Sequence, residues 1–168
     1  SLEVLAGADA KGSLDKFIEA TESRDVQIRQ LAWDILGEVE DPKATKAIVA
    51  GVNAYLDGSL PADVHLNVLE AADGRLDAKQ TNELNEHAQS LAEADSLARW
   101  LVSLEGGDAE KGEKIFKEKT ALSCLRCHQV GRAGGAVGPN LTMIGKQRDR
   151  RYLLESICLP NAQIALSL

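Results

Sequence analysis

The chain has 168 residues, 44% of them hydrophobic and 27% charged, a core-forming composition that is neither disordered nor collagenous. Acidic residues outnumber basic ones 26 to 19, for a formal charge of −7, which argues against a general nucleic-acid binder. No apolar run approaches the ~20 residues needed to span a bilayer.

The opening SLEVLAGADA has no initiator Met and lacks the basic start and apolar centre of a signal peptide. The chain therefore reads as a processed form or a piece of a longer protein, with any export signal outside it and Ser1-Leu2 open to being a cloning remnant. From Ser13 to Ser23, Leu14, Phe17 and Ile18 recur at helical spacing. Asp25 is placed to cap a second helix whose inward set is Val26, Ile28, Leu31, Ala32, Ile35 and Leu36, with a stop near Gly37. Asp41-Pro42 starts a third helix, because Pro at the first helical position forfeits no hydrogen bond. That helix carries Ile48, Val49, Val52 and Leu56 to a stop at Asp57-Gly58. Pro61 opens a fourth, Asp77 a fifth with Leu84, His87 and Leu91, and Ser96 to Leu104 a short last one with Trp100 and Leu101. No segment here alternates with period two, so this half is expected to be all-α.

Asp25-Val26-Gln27-Ile28-Arg29-Gln30-Leu31 returns as Asp63-Val64-His65-Leu66-Asn67-Val68-Leu69. That offset suits stacked helix pairs of the HEAT or armadillo kind, whose period is roughly 40 residues; the alternative is a generic helical bundle. The half holds no catalytic constellation. His65 and His87 read as helix-surface or half-buried residues, and His87 would suit a metal only with a further ligand from elsewhere.

Residues 1–105 carry 20 acidic and 9 basic side chains, whereas 106–168 carry 6 and 10. The sign changes at Glu105-Gly106-Gly107-Asp108, where a flexible Gly pair precedes a helix-capping Asp. A boundary is expected there, between a helical-repeat segment (1–105) and a second domain (106–168).

The second domain contains Cys124-Leu125-Arg126-Cys127-His128, a C-x-x-C-H motif that reads as c-type haem attachment. Two thiols at this spacing can add to the two vinyl groups of one haem, and the His that follows can serve as an axial iron ligand. The haem would also supply apolar core to a segment of some 60 residues, which is small for burying enough surface alone. Zinc is the competing reading, with Cys124, Cys127 and Cys158, but it needs a fourth ligand. A thioredoxin-like dithiol would follow a strand, and here a charged helix precedes it.

Around the motif stand a helix start, Gly107-Asp108-Ala109-Glu110-Lys111-Gly112, with Phe116 four residues beyond Gly112; a Gly-rich stretch; Gly138-Pro139-Asn140-Leu141; and an amphipathic helix, Asp149 to Ile157, before Pro160. This ordered set resembles a class I cytochrome c domain, and with helical repeats before it resembles the Pirellula/Verrucomicrobium-type haem-binding family. The resemblance is strong over 107–165 and loose before it. It implies an all-α fold: HEAT-like repeats followed by a small cytochrome c-like domain. It implies haem c attached covalently through Cys124 and Cys127 with His128 on iron, and absent where the attachment machinery is absent. It implies that Gly112 permits a close helix crossing packed by Phe116 and Tyr152, and that the Pro139 carbonyl receives the ring N–H of His128. Leu141 belongs to the same haem-side segment. It also implies export to the periplasm or beyond, and electron transfer to or from a redox partner or a fused dehydrogenase domain, the chain being more a carrier than a catalyst.

The distal ligand departs from the family pattern. No Met follows the last helix, and the chain's single Met is Met143, a sixth-ligand candidate whose alternative role is a flexible core filler. An open iron would instead allow a haem sensor. Cys158 reads as a small buried hydrophobe. Phe116 and Cys124 stand further apart than in small cytochromes, so an extra turn is expected between them. Arg126, Arg132, Lys146, Arg148, Arg150 and Arg151 give the domain its basic skew, either as solvated charges or as a face steering it to an acidic partner.

Overall fold

The computed structural model describes residues 12–119 and 123–162. The chain divides into two compact units, one ending at Gly106 and the other starting at Gly107. Described residues are mostly helical, with a single two-stranded sheet, so the chain is all-α in class. Among them no helix is long and apolar enough to cross a membrane.

The first unit holds α1 (Leu14–Ala20), α2 (Val26–Glu38), α3 (Pro42–Leu56), a 3-10 turn (Ala62–Val64), α4 (His65–Ala71), α5 (Ala78–Ala94) and a second 3-10 segment (Ala98–Ser103). Aspartates begin the longer helices. The Asp25 carboxylate accepts from the amides of Gln27 and Ile28, and Asp41 accepts from Lys43 with Pro42 behind it. Asp77 forms a reciprocal capping box with Gln80, satisfying amides that have no partner inside the helix. The core is a single cluster in which Phe17, Leu36, Ile48, Val52, Val64 and Val68 are fully buried. Gly51 lets the Trp33 indole lie on α3, since a methyl group there would sit 2.8 Å from the ring.

Several expectations need correction. Val26 and Ile28 are exposed, at 39% and 40%, instead of facing inward, because the buried stripe of α2 begins only beyond its first turn, at Ala32 and Trp33. α2 does stop near Gly37, at Glu38, and the glycine also serves close packing, its missing methyl lying 3.0 Å from the Ala71 Cα. The segment after Pro61 is not one helix but a 3-10 turn leading into α4. The segment around Trp100 is also 3-10, which changes the phase of its side chains. Leu97 is buried and Trp100 is 44% exposed, with Arg99 over its ring. The two D-V segments differ locally, Asp25 being a helix cap and Asp63 lying within the 3-10 turn.

The second unit holds α6 (Ala109–Glu118), the one-turn α7 (Cys124–Cys127), a hairpin of β1 (Gln129–Val130) and β2 (Ala133–Gly134), then α8 (Ile144–Gln147) and α9 (Arg150–Cys158). Gln129 pairs with Gly134 and Val130 with Ala133. Asp108 caps α6 through the amides of Glu110 and Lys111, and Asp149 caps α9 through that of Tyr152. The extra turn expected between Phe116 and Cys124 falls partly on residues 120–122, outside the described residues. So does the chain's end beyond residue 162.

Candidate functional site

Cys124 and Cys127 lie on the single turn of α7, both as free thiols. Ser123, just before them, holds a left-handed conformation (φ 48°), which costs a non-glycine residue on the order of 1 kcal/mol and turns the chain sharply into the helix. The His128 amide closes the turn by donating to the Cys124 carbonyl over 3.0 Å. A cleft of about 290 Å³ borders the turn, lined by Phe116, Lys119, Cys124, Leu125 and Arg126 among others.

The His128 ring is held from the other side. Its Nδ1 lies 2.9 Å from the Pro139 carbonyl oxygen. A carbonyl only accepts, so Nδ1 is the donor, and in the neutral ring that leaves the Nε2 lone pair for a metal. The segment that delivers Pro139 is anchored to the motif: Gly135 N–H donates to the Leu125 carbonyl (2.8 Å), Gly138 N–H to the Cys127 carbonyl (2.7 Å) and Leu141 N–H to the Gln129 carbonyl (2.8 Å). The Asn140 side chain adds a bond to that of Gln129, and Thr142 Oγ1 accepts from the Gly131 amide.

Glycine makes this approach possible. A Cβ on Gly134 would meet the His128 carbonyl oxygen at 2.1 Å, and one on Gly135 the Arg126 carbonyl oxygen at 2.1 Å. Sequence reading identified the stretch only as Gly-rich; its contacts with the motif backbone need three-dimensional information. The two-residue strands were likewise missed, being too short to show any alternation.

The other site residues are distributed as follows. Leu141 is half-buried beside β1, and Met143 is 48% exposed at the start of α8. Cys158 is half-buried at the end of α9, and among the described residues no three His, Cys, Asp or Glu side chains converge as a metal-binding group. Cys158 thus does not join the motif thiols. Phe116 and Tyr152 are half-buried, Tyr152 beneath the Arg148 guanidinium. The close crossing at Gly112 is not found: a methyl group there meets nothing within 4 Å among the described residues.

The residues fit a covalently held haem. The two thiols share one turn, and the adjacent imidazole is oriented with one nitrogen free. The unit also exposes more apolar surface than its own packing covers. None of its described residues is buried, and Val137 and Ile157 are 72% and 78% exposed.

Charge around the unit is set locally. The Asp108 carboxyl is held below its ordinary range chiefly by the Lys111 amide, and that of Glu113 by its hydrogen bond to Lys117. In the first unit, His65 Nε2 donates to the Leu60 carbonyl (2.8 Å). The Tyr55 ring meets His65 and His87 edge-on, at 4.9 and 5.3 Å between centroids. These histidines tie α3, α4 and α5 together, and burial pushes the Tyr55 hydroxyl up.

Comparison of the chain with protein-family models, with curated proteins and with solved structures gave no match.

Proposed function

We propose that the second unit is a cytochrome c-like domain and that the chain transfers electrons. In this reading Cys124 and Cys127 hold haem through thioethers, and His128 presents Nε2 to the iron. Pro139 orients the ring, and Leu141 lines the haem side. The observation that carries the reading is the 2.9 Å contact of His128 Nδ1 with the Pro139 carbonyl, made by the histidine that directly follows two free thiols on one turn. A histidine destined for a metal commonly donates its second ring N–H to such an acceptor, which fixes the ring and raises its basicity.

Haem bound there supplies a reversible one-electron couple whose potential follows its axial ligands. The chain's own residues do the rest. The Gly-rich segment holds the motif turn. Arg126, Arg132, Lys146, Arg148, Arg150 and Arg151 steer the unit toward an acidic redox partner or a fused dehydrogenase domain. The first unit, read as HEAT-like repeats, serves as spacer and docking surface. Function outside the cytoplasm follows, because haem is attached to such motifs after export. Met143 is the sixth-ligand candidate. Its exposure favours, as a second reading, an iron left open for a small ligand.

The test is an absorption spectrum of the full chain, oxidised and reduced, from periplasmic expression with haem-attachment machinery. A c-type spectrum surviving denaturing extraction is expected, and carbon monoxide binding by the reduced protein separates an open iron from Met143 ligation. Colourless protein carrying zinc would overturn the reading and leave an interaction module.

A further inference from the structure

We propose that Gln30 and Gly106 form a latch that holds the end of the first unit against its own helices, so that Gly107 alone is the pivot of the chain between the two units. The latch does not depend on the haem reading, because every contact in it lies within the first unit.

The exit segment is held in two ways. The Gln30 side-chain amide, on α2, donates to the Asp63 carbonyl at 2.6 Å and to the Glu105 carbonyl at 3.1 Å. Its nitrogen carries two hydrogens, so one side chain serves both acceptors and joins the exit to the 3-10 turn before α4. Gly106, the next residue, packs against α4. A Cβ built there would fall 3.0 Å from Leu66 Cβ and 3.4 Å from its Cδ2, with the Asn67 side-chain oxygen at 3.5 Å. Leu66 Cβ moves only with its backbone, so no rotamer change makes room for a side chain at 106. Asn67 is 6% exposed and is fixed by donating from its side-chain amide to the Asp34 carboxylate at 2.8 Å. Gly106 does not have a positive φ; its role is close approach.

Beyond the latch the chain changes character within one residue. Gly107 has φ 103°, a conformation that glycine adopts without steric cost, and it makes no hydrogen bond among the described residues. Asp108 is already committed to the cap of α6, accepting from the amides of Glu110 and Lys111. One residue therefore separates two anchored points. The reach of a flexible linker grows with its number of residues, so a single glycine permits reorientation about a fixed point and little displacement. In the electron-transfer reading, the second unit pivots at that point and does not range over the length of a tether.

The experiment is backbone nitrogen NMR relaxation on the full chain, which reads motion on the ps–ns timescale. In wild type, Glu105 and Gly106 should have order parameters of about 0.85, like rigid helix, and Gly107 a value below about 0.6. Gln30→Ala should bring Glu105 and Gly106 below about 0.6, while the amides of Leu36 and Val68 keep their wild-type values. Gly106→Val, which keeps Gln30, should have the same effect by pushing the segment off Leu66. Gln27→Ala, at an exposed position of the same helix, should change nothing.

A wild-type profile in which Glu105 and Gly106 are as mobile as Gly107 would overturn the proposal, as would a Gly107 as rigid as α2. Either Gln30→Ala or Gly106→Val retaining the wild-type order would do the same, by removing its residue from the latch. Should Gln30→Ala unfold the first unit, the wild-type profile and Gly106→Val still decide. Failure of haem to attach in the separate spectroscopic test overturns the electron-transfer reading and leaves these outcomes readable.

Discussion

Gly135 and Arg126 sit so close that the α-carbon of one leaves no room for a side chain beside the carbonyl of the other. A Cβ on Gly135 would fall 2.1 Å from the Arg126 oxygen, while the Gly135 amide is already bonded to the Leu125 carbonyl at 2.8 Å. The obstacle is backbone on both sides, so no rotamer change relieves it. Gly135→Ala is therefore expected to destabilise the second unit by about 1–3 kcal/mol, the usual cost of overpacking, and to leave the first unit's melting unchanged. Amide exchange at Gly135 and Gly138, followed beside that of α2, checks both halves of this expectation.

Why some features were legible in the sequence and others not is visible at particular residues. Asp25, Asp41, Asp77 and Asp108 announce helix starts because a carboxylate satisfies free amides within its own turn, an interaction complete within a few residues. The C-x-x-C-H turn is legible for the same reason, its spacing being its geometry. Gly37 and Gly138 were opaque because their neighbours, Ala71 and the His128 ring, lie elsewhere in the chain. Periodicity identifies the stripe of α2 that can be buried but not where burial begins along it, so Val26 and Ile28 were assigned inward. The segment from Ser96 to Leu104 was expected as a helix and is 3-10, a difference that its apolar spacing does not reveal.

That contrast along α2 gives a quantitative expectation. Leu36 is fully buried and Val26 is 39% exposed on the same helix. Leu36→Ala should cost about 2–5 kcal/mol, from lost transfer energy and the cavity left behind. Val26→Ala should stay within about 0.5 kcal/mol, as surface changes do. Urea unfolding of the two variants, monitored on the first unit, measures the difference; equal costs would mean that Val26 faces inward after all.

Asp108 makes the start of α6 sensitive to acid. The Lys111 amide above all, helped by the Glu110 amide and the Lys111 charge, holds its carboxyl below the ordinary range against desolvation, which raises it. A carboxyl whose folded value is depressed binds its proton less readily when folded. Its contribution is thus fully present above the unfolded value and is lost as pH falls through the folded one. Exchange protection of the Glu110 and Lys111 amides is expected to drop across that acidic window in wild type. In Asp108→Asn, whose amide oxygen can still cap, the same protection should be independent of pH there.

Arg29 offers the sharpest test of the first unit's polar interior. Its guanidinium donates through Nη1 to the Ser23 carbonyl and through Nη2 to the Asp63 carboxylate, joining the turn before α2 to the 3-10 turn before α4. The pair is well shielded, with Arg29 14% and Asp63 28% exposed. Its second carboxylate oxygen and the Arg29 Nε are buried without a protein partner. Removing either residue strands the other in a place water reaches poorly, so the two losses should not add. A double-mutant cycle of Arg29→Ala and Asp63→Ala is expected to show a coupling of about 1 kcal/mol or more. The same cycle on Lys79 and Glu83, 83% and 46% exposed on one helix face, should show no more than about 0.5 kcal/mol, since solvent screens that pair. Arg29→Lys should recover only part of the loss. An ammonium can match the charge of the guanidinium but not its planar fork, so it cannot serve Ser23 and Asp63 with the same geometry.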